Sequence, residues 1–596
     1  MKKSNLYKIS AKIIILASQK VKLLLILLSL AVLIVSIMPF LQAYLLGEIL
    51  NYIVNLAGTS IWNSKLSLLL TLSILTGLLF SIAGSIQFFL SKKVYKELFH
   101  FFAVLIIKNL SKLDIITHEN PKKKDLITKV QEHAMWRAPS FVERSAYLLQ
   151  NIIECLIATF VFFSASWKLG LMIFIFSIPR LLVELKYNNE LWKISEDLAE
   201  PNRKFWYLRH YLTDVKALTE VKLFQAVTMI TKLISKQLKT VKDKEIFVEA
   251  KCIKWKLLAL IPGEFSAAIT IVILVKSVID GNIEVGTLAF YLSSLATFRW
   301  SLNMLSQNIG SQVQDANFIS DMFEAFDLKS ELPHSKEPIK TPKNIESIEF
   351  KDVWFKYPSS DKYVLKGINL KINSKNTLGL VAINGAGKTT MIKLLCRLYD
   401  PTKGSILVNG INIKDFELNN WHSKIGLMQQ EYNRYECLDL KSAIGFSNLN
   451  SKDDFIPKVI SSAKAVGIDK YIKDLPYEYD TIVSPSFEKG TDLSGGTHQK
   501  VAIARLLFRE SEIAIYDEST SAIDGEAESE IFKTILNLDS QNIRILVSHR
   551  LYTLKHANQI CVLEDGKITE KGSHSELMKL NGKYKLMYIK QQKAYQ

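Results

Sequence analysis

"VAINGAGKTTMIKLLC", from Val381 to Cys396, is the stretch whose reading decides the second half of the chain. An apolar β-type run, "NTLGLVAI", gives way to a loop of small residues, and Lys388-Thr389 then open a helix-forming stretch. The pattern nearly matches G-x-x-x-x-G-K-[ST], a loop whose glycines let backbone N–H groups curl around phosphate oxygens. It does so at a helix start, where the helix dipole favours an anion. On this reading Asn384, Gly385, Ala386 and Gly387 form the cradle, Lys388 reaches the β- and γ-phosphates, and the Thr389 hydroxyl ligates Mg²⁺. Ala382 stands where the pattern has its first glycine, which alanine tolerates if its φ is negative.

Roughly 130 residues further on, "IAIYDE" reads as a buried strand ending in two acids. Asp517 is placed to hold Mg²⁺ through water, and Glu518 to polarise an attacking water. "SIEFKDVWF" reads as a further strand, "TTMIKLLCRLY" and "THQKVAIARLLF" as helices, and the alternation defines an α/β domain.

The first half has another texture. Leu23 to Gly47 holds no charged residue, nor does Leu66 to Ser91, and each is long enough to cross a hydrocarbon core of about 30 Å as a helix. The first is too long for the apolar core of a cleaved signal peptide. Leu148 to Trp167 and Leu169 to Val183 form a tight pair broken at "SASWKLG". Leu257 to Val275 and Gly286 to Phe298 complete six expected spans. Short connections with little positive charge alternate with the long, Lys- and Arg-rich stretches Ser91 to Ala146 and Lys186 to Lys256. By the positive-inside rule these long stretches and both termini face the cytoplasm. Their helical spacing predicts that the spans continue as helices beyond the membrane and turn near Thr117 to Asp125 and near Thr213 to Glu220. Glu154, Arg180, Glu264 and Arg299 are ionisable residues at or near membrane depth, placed either to line a cavity or to pair and snorkel.

Composition fits this division. Hydrophobic residues make up 48% of the 596, high for a soluble protein, and the net charge of +17 is accounted for by basic residues flanking spans. No basic cluster interleaved with aromatics points to nucleic acid. The five cysteines lack a CxxC pair, which argues against a metal or disulfide framework. A Pro- and Lys-rich linker, "LKSELPHSKEPIKTPKN", separates the halves, giving a membrane domain over 1–326, a linker over 327–345 and an ATPase domain over 346–596.

At "DLSGGTHQKVAIAR" the chain comes to resemble the ATP-binding cassette (ABC) proteins. Ser494, Gly495 and Gly496 resemble the signature motif. Tyr357 resembles the aromatic that stacks on adenine, and Gln430 the Q-loop glutamine that touches Mg²⁺ and the attacking water. Glu488 resembles a glutamate found ahead of the signature in exporters, Ser521 to Asp524 the D-loop, and His549 the switch histidine on the γ-phosphate. Thr390 follows Thr389 in the cradle. Three positions depart from the pattern: Thr497 replaces a glutamine, Ser519 a proline, and Gln429 a proline, none of which removes a charge from the reaction.

The resemblance implies a six-helix membrane domain fused to a P-loop ATPase, working with ATP and Mg²⁺ as a homodimer in a bacterial cytoplasmic membrane. In such a dimer the signature of each chain closes over the phosphates held by the other. The turns near Asn120 to Asp125 and Thr213 to Phe224 become candidate coupling helices. "NRYECLDLKSAIGFSNL" and "YLTDVKALTEVKLF" further resemble stretches of lantibiotic and bacteriocin exporters, so a peptide is the expected cargo. The alternatives are a lipid flippase or multidrug pump of the same fold, or an ATP-gated channel or sensor. No N-terminal cysteine protease is expected, since the first cysteine is Cys155, within a span.

Overall fold

The computed structural model describes residues 6–55, 62–333, 335–358, 360–382, 385–448, 454–517, 543–548 and 550–595. They fall into two compact units: residues 1–112 with 124–328, and residues 113–123 with 329–596.

Six long helices build the first unit: α1 (Leu6–Asn55), α2 (Ser64–Leu110), α5 (Met135–Ala165), α6 (Trp167–Asp197), α9 (Val227–Ile279) and α10 (Val285–Phe326). The short helices α3 (Ile115–Glu119) and α4 (Pro121–Lys129) lie between α2 and α5, and α7 (Ala199–Thr213) and α8 (Val215–Leu223) between α6 and α9. Both turns expected within the long connections therefore occur, and Ser166 breaks α5 from α6 in an extended conformation. Among the described residues, four helical stretches are long and apolar enough to cross a membrane: Lys8–Asn55, Ser64–Leu110, Pro121–Ala165 and Val227–Ile279. The other two expected spans are helices as well, but less apolar. Lys168, Arg180 and Glu184 punctuate α6, and the apolar run of α10 stops at Arg299.

Apolar side chains cover the outside of this unit as well as its inside. Leu23, Phe88, Phe160 and Val272 are well exposed, whereas Phe40, Phe162, Ile173 and Leu295 are buried together. Between helices whose surroundings are equally apolar, close backbone packing and polar contacts set the arrangement. A Cβ added to Gly286 on α10 would lie 1.9 Å from the Gly47 carbonyl oxygen of α1, and the Gly286 N–H donates to Asn51 Oδ1 at 2.5 Å. Fully buried Asp315 of α10 accepts from Arg137 at 2.8 Å and pairs with Arg144 at 3.3 Å, both on α5.

Two sheets build the second unit. β1 (Ser347–Phe355), β2 (Leu365–Asn373), β4 (Lys403–Val408) and β5 (Ile411–Asn412) form an antiparallel sheet in the order β2-β1-β4-β5. β3 (Thr377–Ala382), β6 (Ile425–Met428), β7 (Ile513–Asp517), β8 (Ile543–Val547), β9 (Gln559–Glu564) and β10 (Lys567–Gly572) form the other, in the order β10-β9-β3-β8-β7-β6. Its neighbours β9, β3, β8, β7 and β6 run parallel, and every residue of β3 is buried, as expected of a strand covered on both faces. The helices α11 (Lys388–Leu395), α12 (Leu418–Ser423), α13 (Leu440–Gly445), α14 (Phe455–Ala465), α15 (Asp469–Lys473) and α16 (Gly495–Arg509) follow the strands.

Candidate nucleotide site

The parallel register collects the site at one edge of the six-stranded sheet. Leu380 of β3 lies beside Val547 of β8, which lies beside Asp517 of β7, so the C-terminal ends of these strands form one row. Met428 pairs with Tyr516, which brings Gln430, two residues beyond β6, to the same edge. Crevices at the carboxyl ends of parallel strands are where open α/β sheets bind ligands.

Ala382 ends β3 within the sheet and is absent from the residues with positive φ, so its place in the motif needs no glycine. Beyond it Gly385 has φ +81° with open space around it. Gly387 caps α11 at φ +108°, where a Cβ would meet Leu365 Cδ2 at 2.6 Å. Glycine is required there on both counts. Ala386 is buried, and Lys388 is buried as the first residue of α11. The two threonines that follow part ways. Thr389 is exposed, while Thr390 is buried with its Oγ1 3.1 Å from the Tyr357 hydroxyl. Asn384, Glu518, Ser519, the Ser521–Asp524 stretch and His549 lie outside the described residues.

The chemistry of these groups fits a magnesium nucleotide. Buried Asp517, exposed Thr389 and exposed Gln430 offer hard oxygen donors, the kind Mg²⁺ selects. Among the described residues no cluster of three His, Cys, Asp or Glu could hold a metal alone. The cradle's two positive-φ glycines leave room for the phosphates at the start of α11.

Ser494 caps α16, accepting from Thr497 N–H at 3.2 Å, and Ser494 and Gly495 are exposed. The start of a 15-residue helix is thus presented to solvent at Ser494 and Gly495. Glu488 is exposed. Near Gln429 a groove of about 420 Å³ is bordered by Tyr432, Tyr435, Phe446, Arg505 and Arg509. Arg505 lies over Tyr435 at 4.6 Å and Phe446 at 5.0 Å, and burial brings its pKa down to about 10.

The connection behind Tyr357 was not legible in the sequence. The Tyr357 ring meets the Tyr399 ring edge-on at 5.4 Å, and the Lys393 ammonium sits 5.5 Å from both. Tyr399 donates to the Glu119 carboxylate, and Lys393 lies 3.4 Å from it. Burial, and next the Glu119 carboxylate, raises the Tyr399 pKa. Glu119 ends α3, within the 113–123 segment that belongs to this unit. That segment is held at its other end too. Asp114 caps α3 by accepting from Thr117 N–H at 2.7 Å, and it also accepts from Ser330 Oγ and from Leu332 N–H at 2.6 Å. Partial burial pushes the Asp114 pKa up, but these donors prevail and hold it below the usual carboxylate range. The only local signal was Asp114 three residues before Thr117, an ordinary helix-capping pattern.

With this geometry the comparisons with known proteins agree. The ABC transporter family model matches residues 365–521, from β2 past the end of β7. A solved structure of a bacterial Atm1-family ABC exporter with ATP bound superposes with a TM-score of 0.78, at 24% identity, covering 94% of this chain and 97% of that one. Residues 365–521 therefore carry an ABC transporter domain, and the chain has the ABC exporter fold, with helices long and apolar enough to cross a membrane ahead of that domain. It is 29% identical over 562 residues to the subtilin transport ATP-binding protein SpaT of Bacillus subtilis, spanning 93% of this chain and 89% of that protein. It is 28% identical to the ATP-dependent lipid A-core flippase of Desulfotalea psychrophila over 83% of this chain and 85% of that protein.

Proposed function

We propose that two copies of this chain form an ATP-driven exporter of a peptide in the cytoplasmic membrane of a bacterium, with both termini and the ATPase domains in the cytoplasm. The domains run over 1–326 and 346–596, joined by the linker 327–345. The observation that carries this reading is that one chain holds one phosphate cradle, Gly385 to Thr389, and one outward-facing signature turn at Ser494. A second copy supplies the missing half of each site, so that Ser494 and Gly496 of one chain act beside Lys388 of the other. The face of α8 supports a partner as well. No residue of α8 is buried, and Val215, Leu223 and Phe224 are all more than 70% exposed.

ATP then favours the closed pair by differential affinity, since each triphosphate is held from both sides only when the seam is shut. Bound Mg²⁺ would be held by Thr389, Asp517 and Gln430 and would neutralise phosphate charge. Lys388 binds the phosphates, Tyr357 supports the base, Glu518 takes the proton of the attacking water, and His549 contacts the γ-phosphate. The match to SpaT over nearly the whole chain, together with the stretches that resemble lantibiotic exporters, favours a peptide. The flippase match makes a lipid the second reading. Inside-out membrane vesicles test the choice. A labelled apolar peptide should accumulate with ATP and not with a non-hydrolysable analogue, and Glu518→Gln should stop turnover while leaving ATP bound. Lipid-dependent turnover with no response to any peptide would overturn the peptide reading.

A further inference from the structure

Three charged residues of the membrane domain stand at one depth. The short connections at Ser166 and at residues 280–284 mark one end of α6, α9 and α10. Arg180 lies 13 residues from Trp167, Arg299 lies 14 from Val285, and Glu264 lies 15 from Ile279. At about 1.5 Å per residue all three sit about 20 Å from that end, well inside a hydrocarbon core about 30 Å thick. Together with Ser177, they line one cavity of about 40 Å³, walled by Phe176, Phe298 and aliphatic side chains. That volume is close to the share of one or two water molecules, enough for a carboxylate but not for a whole substrate.

Of the three charged residues that line the cavity, two are cations, Arg180 and Arg299. Glu264 is paired with Arg299, and Glu184, one turn beyond Arg180, is paired with Lys256 at 2.8 Å. Buried Glu154 accepts from Ser301 and from Gln150. Glu264 and Glu184 thus each pair with another cation, and Glu154 is held by neutral donors. Arg180 donates to the Asn303 carboxamide oxygen, and among the described residues no carboxylate lies within 4 Å of it. A guanidinium has five N–H donors in a planar fork, and an ionised side chain at this depth is costly unless paired.

We propose that Arg180 is a recognition point for the substrate. It binds a carboxylate borne by an otherwise apolar peptide, whose side chains contact Phe176 and Phe298. Arg299, the second cation of the lining, is paired with Glu264, which leaves Arg180 as the cation open to the anion. Pro179 in α6 and Pro262 in α9 each remove a backbone hydrogen bond beside this cavity, where a Cβ added to Gly263 would lie in ordinary contact, 3.7 Å, with the Phe176 carbonyl oxygen. The helices can therefore bend at the level of the pocket to admit the rest of the chain.

This inference rests on the peptide reading above, and one binding experiment separates the two. The full-length protein is placed in phosphatidylcholine nanodiscs. The probe is an N-acetylated five-residue peptide of leucine and phenylalanine, offered once as the free acid and once as the C-terminal amide. A charge-assisted hydrogen bond is worth roughly one to two decades in affinity, so the acid should bind at least 10-fold more tightly than the amide. Arg180→Gln should bring that ratio close to one, and Arg180→Lys should restore part of it. The wild-type ratio needs no variant to fold. Equal binding of acid and amide, or a ratio that survives Arg180→Gln, overturns the inference while leaving peptide export standing. Failure of both forms to bind or to stimulate ATP turnover overturns both readings. If adding phosphatidylglycerol to the discs abolishes the acid's advantage, the anion at Arg180 belongs to lipid, and the assignment to a peptide is wrong.

Discussion

Replacing Glu119 with alanine separates the chemistry at the nucleotide from its transmission through the 113–123 segment. The substitution removes the hydrogen bond from Tyr399 and the ion pair with Lys393. A hydrogen bond to a charged group contributes about 1.5–3 kcal/mol. Glu119 is 48% exposed, so the lower figure applies, and the ion pair adds about 0.5 kcal/mol after solvent screening. Together they hold the segment by about 2 kcal/mol, or about 30-fold in its opening equilibrium. Hydrogen exchange read by mass spectrometry on the full chain should show the amides of Ile116 to Asn120 exchanging about 30-fold faster in Glu119→Ala. Those of β3 should be unchanged. Tyr399→Phe should give most of the same effect, and the double variant little more, because both remove one bond. ATP turnover without peptide should survive, while its stimulation by added peptide falls. Exchange within twofold of wild type, or additive effects of the two substitutions, would refute the reasoning.

Three other outcomes follow from particular residues. Gly387→Ala forces a Cβ into φ +108° and toward Leu365, a cost of about 2 kcal/mol for the left-handed backbone and the contact, so fluorescent-nucleotide binding should weaken about 30-fold. Gly286→Leu cannot keep the close approach of α10 to α1 and should lower the melting temperature of the detergent-purified chain by several degrees, whereas Gly281→Ala, in open space, should act only through its backbone. His422 has its pKa lowered by burial, which outweighs the opposing bond of its ring to the Cys396 carbonyl at 2.9 Å and is reinforced by Arg397 and Arg509. It charges less readily folded than unfolded, so its contribution to stability is full above about pH 6.5 and is lost as pH falls below that value. Melting curves between pH 7.5 and 5.5 should therefore flatten in His422→Gln.

Local pattern carried much of this architecture. "SIEFKDVWF" is β1 from end to end and "IAIYD" is β7; the helix after the cradle starts at Lys388 but ends at Leu395, short of the expected Tyr399, and the signature helix starts two residues earlier than expected, at Gly495. These elements announce themselves because each is set by its own periodicity or by a glycine that no other residue replaces. The antiparallel sheet of β2, β1, β4 and β5 was not legible, since its pairing joins strands up to about 60 residues apart. Of the site, the cradle, Asp517 and Ser494 could be placed from motif spacing. The route from Tyr357 through Tyr399 and Lys393 to Glu119 could not, because it spans some 240 residues and depends on side-chain direction alone. The shortage of carboxylate at Arg180 likewise emerges only once Glu264 and Glu184 are seen paired elsewhere.

The central claim is that ATP is clamped at a seam shared by two copies of the chain, and disulfide trapping tests it most directly. Cys437, the exposed cysteine, is first changed to serine. One tagged chain then carries Ser494→Cys and a second, differently tagged chain carries Ala386→Cys, and the two are co-expressed in membranes. Addition of ATP under mild oxidation should produce a band containing both tags, and omission of nucleotide should diminish it. Absence of the two-tag band with ATP, under conditions where the nucleotide is bound, would contradict the account.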